Sequence, residues 1–323
     1  MLNQRNLYGV VNDFHLSCIN IVYMDELSCT YVGSFGLLKS ANKRSPMPIS
    51  DYDGLNPEWF SNANDNEIFH VCPQALDKFI DQVLPTMKTR FILLTNNSDM
   101  TIPSDIKNAS QLLEHPLLVH WFAQNCTVTH AKLSRIPIGL DYHSLIPTPS
   151  RFAWSPPQMH SWGIKKLPLN QEIELISIRN SARNRQCKAY ANFQFLMTTR
   201  YGKIDRVESL NTVPKELVFY EPKKTTRDVC WNNMIKYAFV LSPHGNGLDC
   251  HRTWEALALG CYPIIKTSGL DPLFDELPVW IVKEWSDVTQ EAMQQKMNEF
   301  NQRKFNLEKL TLKYWQKIIQ NAK

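Results

Sequence analysis

Residues 239–265, FVLSPHGNGLDCHRTWEALALGCYPII, constrain the fold more than any other stretch of the chain. An apolar run breaks at Ser242-Pro243 and turns through Gly245 and Gly247. Apolar residues then recur at helical spacing, stop at Gly260, and give way to a second apolar run. Strand, glycine turn, helix and strand form the unit of a parallel sheet, because parallel neighbours need a crossover that a helix supplies. Ligands of such sheets bind outside the carboxyl ends of the strands, and this turn occupies one of them.

The alternation extends through the second half. IELISI (173–178) reads as a strand, and RNSARNRQCKAYANFQFLMTTRYG as a helix ending at Gly202. ELVFY (216–220), YPIIK and VWIV read as strands, TTRDVCWNNMIKYA as a helix, and the chain from about residue 287 as helical. The first half reads as mixed α/β. INIVYM (19–24) is a short strand, ALDKFIDQVLPTM has helical spacing, and RFILLTNNSD is a buried strand with Asp99 just past its end. ASQLLEHPLLVHWFAQN reads as a helix broken at Pro116, and LSRIPIGLDYHSL as a strand and turn. Residues 144–169 carry five prolines and little periodicity, which places a domain boundary there. The expected organisation is an N-terminal Rossmann-like domain over 1–165, a C-terminal one over 166–300, and a final helical segment over 301–323.

Composition narrows the functional classes. With 43% hydrophobic and 20% charged residues the 323-residue chain buries a sizeable core. Its net charge of +4 is small and scattered, so the basic footprint of a nucleic-acid binder is missing. Eight cysteines include no CxxC pair, which argues for free thiols in a reducing compartment. The start of the sequence lacks the apolar core of a signal peptide, and no run approaches the ~18 apolar residues of a membrane span. The expectation is a soluble, cytoplasmic protein.

The turn has the chemistry of a phosphate site. Its glycines let the backbone approach closely, and the following helix presents free N–H groups and a partial positive charge. Arg252 suits a bidentate phosphate contact. Glu255 lies three residues on, on the same helical face, where it can accept ribose hydroxyls. Ser242, His244, Gly245, Asn246, Gly247 and Asp249 complete the expected donor loop. A dinucleotide fingerprint is excluded because Cys250 stands at the third glycine position, and no Walker A sequence occurs. The basic run SIRNSARNRQ offers Arg179, Arg183 and Arg185 to the same cleft. The Asp-x-Asp of DYDG follows RSPMPIS, which is no buried strand, so no catalytic metal is expected. His244, Cys250, His251 and Cys261 lack zinc spacing. Trp154, Trp162, Trp231, Trp254 and Trp280 read as packing residues, with one available to stack on a base or sugar.

The same residues carry a family resemblance. Ser242, Pro243, Gly245, Arg252, Glu255, Ala256, Gly260, Cys261, Pro263 and Ile265, followed by DELPVW, resemble the C-terminal half of exostosin-like glycosyltransferases over about 40 residues. Glu255 stands where that family usually has Asp, and NGLDCH replaces a Ser/Thr-rich loop. The resemblance implies the GT-B architecture, with two Rossmann-like domains and parallel sheets facing a central cleft. It implies a UDP-sugar donor on the second half, transfer with inversion to a glycan or glycoside hydroxyl, and a C-terminal helix crossing back onto the first half. A base for the acceptor hydroxyl is then required from the first half. Asp99, Asp13, His15 and Asp141 are the candidates. A non-catalytic nucleotide- or glycan-binding module, or a nucleic-acid-binding protein, are the alternatives.

Overall fold

The computed structural model describes residues 25–45, 54–146 and 159–322. The 19–24 strand, Asp13, His15, Trp154 and the DYDG acids Asp51 and Asp53 lie outside the described residues.

The first sheet holds four parallel strands in sequential order: β1 (Glu67–His70), β2 (Phe91–Thr95), β3 (Leu118–Ala123) and β4 (Leu133–Arg135). Both faces are buried, as a parallel sheet requires. Phe69, Phe91, Leu93 and Trp121 point to one face, where α2 (Leu76–Gln82) contributes Phe79 and α3 (Ala109–Glu114) contributes Leu112. Ile68, Ile92, Leu94 and Phe122 point to the other, beside Leu37 of α1 (Ser34–Lys39). The expected helix across 109–125 is only half correct. Pro116 ends α3, and the aromatic and β-branched run behind it pairs with β2 instead of resuming the helix.

The second half begins with a two-residue hairpin, β5 (Met159–His160) and β6 (Gly163–Ile164), followed by α4 (Pro168–Ser181). Five parallel strands follow: β7 (Gln186–Ala191), β8 (Val218–Tyr220), β9 (Tyr237–Leu241), β10 (Tyr262–Lys266) and β11 (Trp280–Val282). Their spatial order is β11-β10-β9-β7-β8. Between them run α5 (Gly202–Thr212), α6 (Arg227–Met234) and α7 (His251–Ala258), and behind them α8 (Gln290–Gln302) and α9 (Leu312–Gln320). Met293 and Phe300 of α8 cover one face of this sheet with Phe239, Ile264 and Trp280.

Two expectations in this half are corrected. Residues 173–178 are helix, not strand. Pro168 opens α4 at its first turn, and Gln171, Glu172, Leu175 and Ile178 are buried at helical spacing while Ile173 stays 57% exposed. The segment expected as a helix up to Gly202 contains β7, whose exposed first residues hide its buried Ala189–Ala191 end, and Gly202 starts a helix rather than ending one.

The halves are tied together away from the cleft as well. Glu172 of α4 accepts the N–H groups of Thr30 (2.7 Å) and Tyr31 (2.9 Å) and the Tyr142 hydroxyl (2.6 Å). The C-terminal segment returns to the first half, where Val32 N–H donates to Leu310 O and Leu312 N–H to Thr30 O, both at 2.9 Å. Gln316 of α9 donates to Ser40 Oγ at 2.8 Å. Among the described residues no helix is long and apolar enough to cross a membrane.

Gly139, just past β4, has φ +69°, and a Cβ there would lie 2.2 Å from the Val32 carbonyl oxygen. Gly139→Ala is therefore expected to cost about 2–4 kcal/mol, from left-handed backbone strain plus a backbone clash. Urea unfolding of the variant checks this, and a midpoint within error of wild type would contradict it.

Candidate functional site

In the second sheet β7 is flanked by β8 on one side and β9 on the other, and the helices that follow β7 and β9 pack on opposite faces. The crevice this reversal opens is where doubly wound sheets bind ligands. Asn192, Phe193 and Gln194 follow β7 and the 242–250 loop follows β9. Opposite them stand residues 97–99 after β2 and 138–143 after β4. Together they enclose a cavity of about 440 Å³.

The glycine turn meets the other half of the protein before it meets any ligand. Gly247 N–H donates to Asp99 Oδ1 (3.1 Å), and Asp249 N–H to Asn125 Oδ1 (2.9 Å). A Cβ on Gly247 would come within 2.8 Å of Asn125 Nδ2, so a side chain there would push the halves apart. Asp249 is buried and accepts from Ile138 N–H (2.7 Å) in the first half and from Trp254 Nε1 (2.8 Å) of α7. Burial raises its carboxyl to about 7 against the pull of these donors. Arg200 spans the same seam, from Asn246 O (3.0 Å) to Asp105 Oδ2 (2.7 Å).

Two expected donor residues turn inward. The His244 N–H and Nδ1 both meet Asp205 Oδ2 (2.7 and 2.9 Å), and Asp205 Oδ1 accepts from Trp285 Nε1 (2.7 Å). Ser242 Oγ pairs with Thr253 Oγ1 at 2.8 Å. Both residues shape the loop without lining the cavity. Gly245, Asn246, Gly247, Asp249, Arg252 and Glu255 do line it.

The basic run is placed elsewhere. Because 173–178 is helix, Arg179, Arg183 and Arg185 precede β7 and lie at its amino end, remote from the carboxyl ends that form the cleft. Arg179 donates to the Tyr31 hydroxyl (2.7 Å), and Arg183 is exposed. Arg185 donates to Leu259 O (2.8 Å), where a cation complements the carbonyl end of α7.

Two of the arginines in the cleft make no ion pair among the described residues: Arg252 and one the sequence did not single out, Arg206 of α5. Arg252 Nη2 donates to Pro243 O (2.7 Å), while its buried Nε has no hydrogen-bond partner. Arg206 donates to His244 O (3.0 Å) and Gln194 O (2.8 Å). Their guanidinium carbons lie 5.0 and 5.6 Å from the Phe193 ring centre. Neither forms an ion pair among the described residues. Burial lowers both pKa values, that of Arg252 to about 10, against the weaker pull of Asp205 and, for Arg252, of Glu255.

Across the cavity a second group collects. Arg227 Nη2 meets Asp141 Oδ2 at 2.6 Å, and Arg227 Nε lies 3.9 Å from Glu255 Oε1. His143 Nδ1 is 3.2 Å from Asp141 Oδ1, and His251 Nδ1 donates to Gly139 O at 2.7 Å. Burial alone would raise the Asp141 carboxyl, but His143, Arg227 and His251 hold it far below the usual carboxylate range. Burial raises the Glu255 carboxyl, with Arg227 pulling against it, and lowers His251 to about 4. Among the described residues Asp141, His143 and His251 bring their ligand-type atoms within 4.8 Å of one another, a spacing a cation would accept. The Arg227 guanidinium already neutralises the Asp141 carboxylate and repels a cation there. Cys261, whose spacing from His244, Cys250 and His251 is not that of a zinc site, is buried against Arg185 and does not join them. Asp141 was legible as a residue just after a strand. His143, two positions on in LDYH, was the signal passed over, whereas nothing in the local sequence marks Arg206 or Arg227.

No family model and no curated protein matches the chain. A similar solved structure is described as trehalose-6-phosphate from E. coli bound with UDP-2-fluoro glucose. It is 10% identical, with 81% of this chain and 71% of that one covered, at a TM-score of 0.35. At that score the likeness decides neither fold nor function.

Asp249→Asn turns an amide N–H₂ toward one of two N–H donors, so a loss of about 1–3 kcal/mol is expected in urea unfolding. The raised carboxyl adds a pH signature. Its stability contribution is complete below its unfolded value, about 4, and is lost as pH rises through about 7. The wild type should lose stability over that window and the Asn variant should lose less. Equal slopes would contradict the raised carboxyl.

Proposed function

We propose that the chain is a glycosyltransferase that takes a sugar from a nucleotide-sugar, with UDP as the nucleotide, and passes it to a glycan or glycoside hydroxyl with inversion. The observation that carries this reading is the pair Arg206 and Arg252. Two guanidinium groups, Arg206 buried and Arg252 half-buried, line the cavity at the switch point of a parallel sheet with no carboxylate at ion-pair distance among the described residues. A buried cation without a counter-ion is costly, and an anion entering the cavity removes that cost. The exostosin-like pattern of residues 242–265 narrows the anion to a nucleotide diphosphate.

In this reading the diphosphate lies against Arg252, Arg206 and the start of α7, and Glu255 accepts the ribose hydroxyls. The acceptor enters from the side of Asp99 and Asp141. As the bond between the sugar carbon and the diphosphate breaks, negative charge grows on the leaving group. The preset guanidinium groups stabilise that charge without having to reorganise. No metal is required, because fixed cations do this work and Arg227 already occupies the Asp141 carboxylate.

The test is UDP release from a panel of UDP-sugars, with and without EDTA. Turnover that survives EDTA is expected. No binding of UDP or of any UDP-sugar would end the proposal, and binding without turnover would reduce the protein to a nucleotide-binding module. Arg252→Gln keeps a donor for Pro243 O but removes the charge, and should lower kcat/KM about 10²-fold. Its unliganded stability should equal or exceed that of wild type, because a half-buried cation whose Nε lacks a hydrogen-bond partner is gone. Arg179→Ala combined with Arg183→Ala should leave UDP affinity within about twofold, since a 1.4 kcal/mol change is needed for tenfold.

A further inference from the structure

We propose that His143 is the general base that takes the proton from the attacking hydroxyl, and that Asp141 positions it. This assignment rests on reading the cleft as a site of glycosyl transfer. A base of this kind needs one ring nitrogen open to the cavity and a fixed carboxylate beside the ring. His143 lines the cavity. Its Nδ1 sits 3.2 Å from Asp141 Oδ1, and Nε2 has no hydrogen-bond partner among the described residues. Asp141 is immobilised in turn, with Oδ1 accepting from Ser144 N–H at 3.0 Å and Oδ2 from Arg227 at 2.6 Å. Phe35 stacks on the imidazole at 5.0 Å and 29°, which fixes the plane of the ring.

The rival groups are committed otherwise. Asp99 receives the Gly247 N–H and joins the halves of the protein. Both oxygens of Asp141 are engaged by Ser144 and Arg227, so its fixed carboxylate serves to stabilise the imidazolium that forms on His143. His251, whose ring centre lies 5.4 Å from that of His143, donates to the neutral carbonyl of Gly139. An imidazolium formed on His143 has the Asp141 carboxylate at 3.2 Å, whereas His251 directs its Nδ1 to a carbonyl and makes no ion pair among the described residues.

The step balances. The acceptor O–H proton passes to His143 Nε2, and the oxygen forms a bond to the sugar carbon. The bond from that carbon to the diphosphate oxygen breaks, and its electron pair leaves with the diphosphate toward Arg252 and Arg206. The imidazolium then returns its proton to water.

His143→Gln and His143→Ala test the assignment, with UDP titrated calorimetrically as the binding probe and the UDP-sugar that wild type turns over as the substrate. Both variants should bind UDP within twofold of wild type while kcat falls about 10²–10⁴-fold. Added imidazole should restore part of the activity of His143→Ala, which a merely structural role would not allow. Asp141→Asn should lower kcat and leave the UDP affinity unchanged. Full activity in His143→Gln, or a loss carried by His251→Gln alone, overturns the base assignment while the glycosyltransferase reading stands. A divalent cation bound tightly by the purified protein and lost in His251→Gln overturns it too, because the ion would take the His143 nitrogen. Failure of wild type to bind UDP or to turn over any UDP-sugar ends both.

Discussion

The buried carboxylate of Asp249 holds the two halves of this protein in register. It sits just before α7, receives Ile138 N–H from the first half and Trp254 Nε1 from that helix, and its backbone donates to Asn125. Buried carboxylates are tolerated only when donors satisfy them, and here the donors come from both sides of the cleft. The closeness of Gly247 to Asn125 and Asp99 is set by the same seam. Removing this clamp would leave a backbone N–H and an indole N–H buried without acceptors. The cavity walls would then lose their mutual spacing.

Once the walls are fixed, the cleft divides by charge. On the side of β7 and β9, Arg206 and Arg252 donate to carbonyl oxygens and form no ion pair among the described residues. On the opposite side Arg227 is compensated by Asp141, with Glu255 nearby. Three arginines in one cavity thus do different things. Among the described residues two donate to backbone carbonyls only, and the third locks an acid in place beside two imidazoles. The proposed transfer assigns the leaving diphosphate to the first end of the cavity and the proton to the second.

Legibility in the sequence followed how local each determinant was. The unit from β9 through α7 to β10 was readable, because its apolar runs, its glycines and its helix are set by neighbours in sequence. The run 173–178 was not, because IELISI satisfies both a period of 2 and part of a helical stripe. Only the burial of Leu175 and Ile178 against other elements decides between them. That single reversal moved Arg179 and Arg183 from the carboxyl end of a strand to the amino end of the next. The segment 118–123 was misread for the same reason, since an apolar run behind a helix becomes a strand only when a neighbouring strand is there to pair with it.

The sequence by itself determined that the second half is an α/β unit with a glycine turn at a strand end, and that Arg252 and Glu255 share a helical face behind it. Those features depend on hydrophobic periodicity and backbone conformation, both of which act over a few residues. Only the tertiary structure decided which charges meet in the cleft. Arg206 faces Arg252 across 46 positions, Arg227 reaches Asp141 across 86, and His143 acquires its place beside Asp141 and Phe35. Electrostatic partners are chosen by proximity in space and by the water that burial removes, and neither is written in the order of residues along the chain.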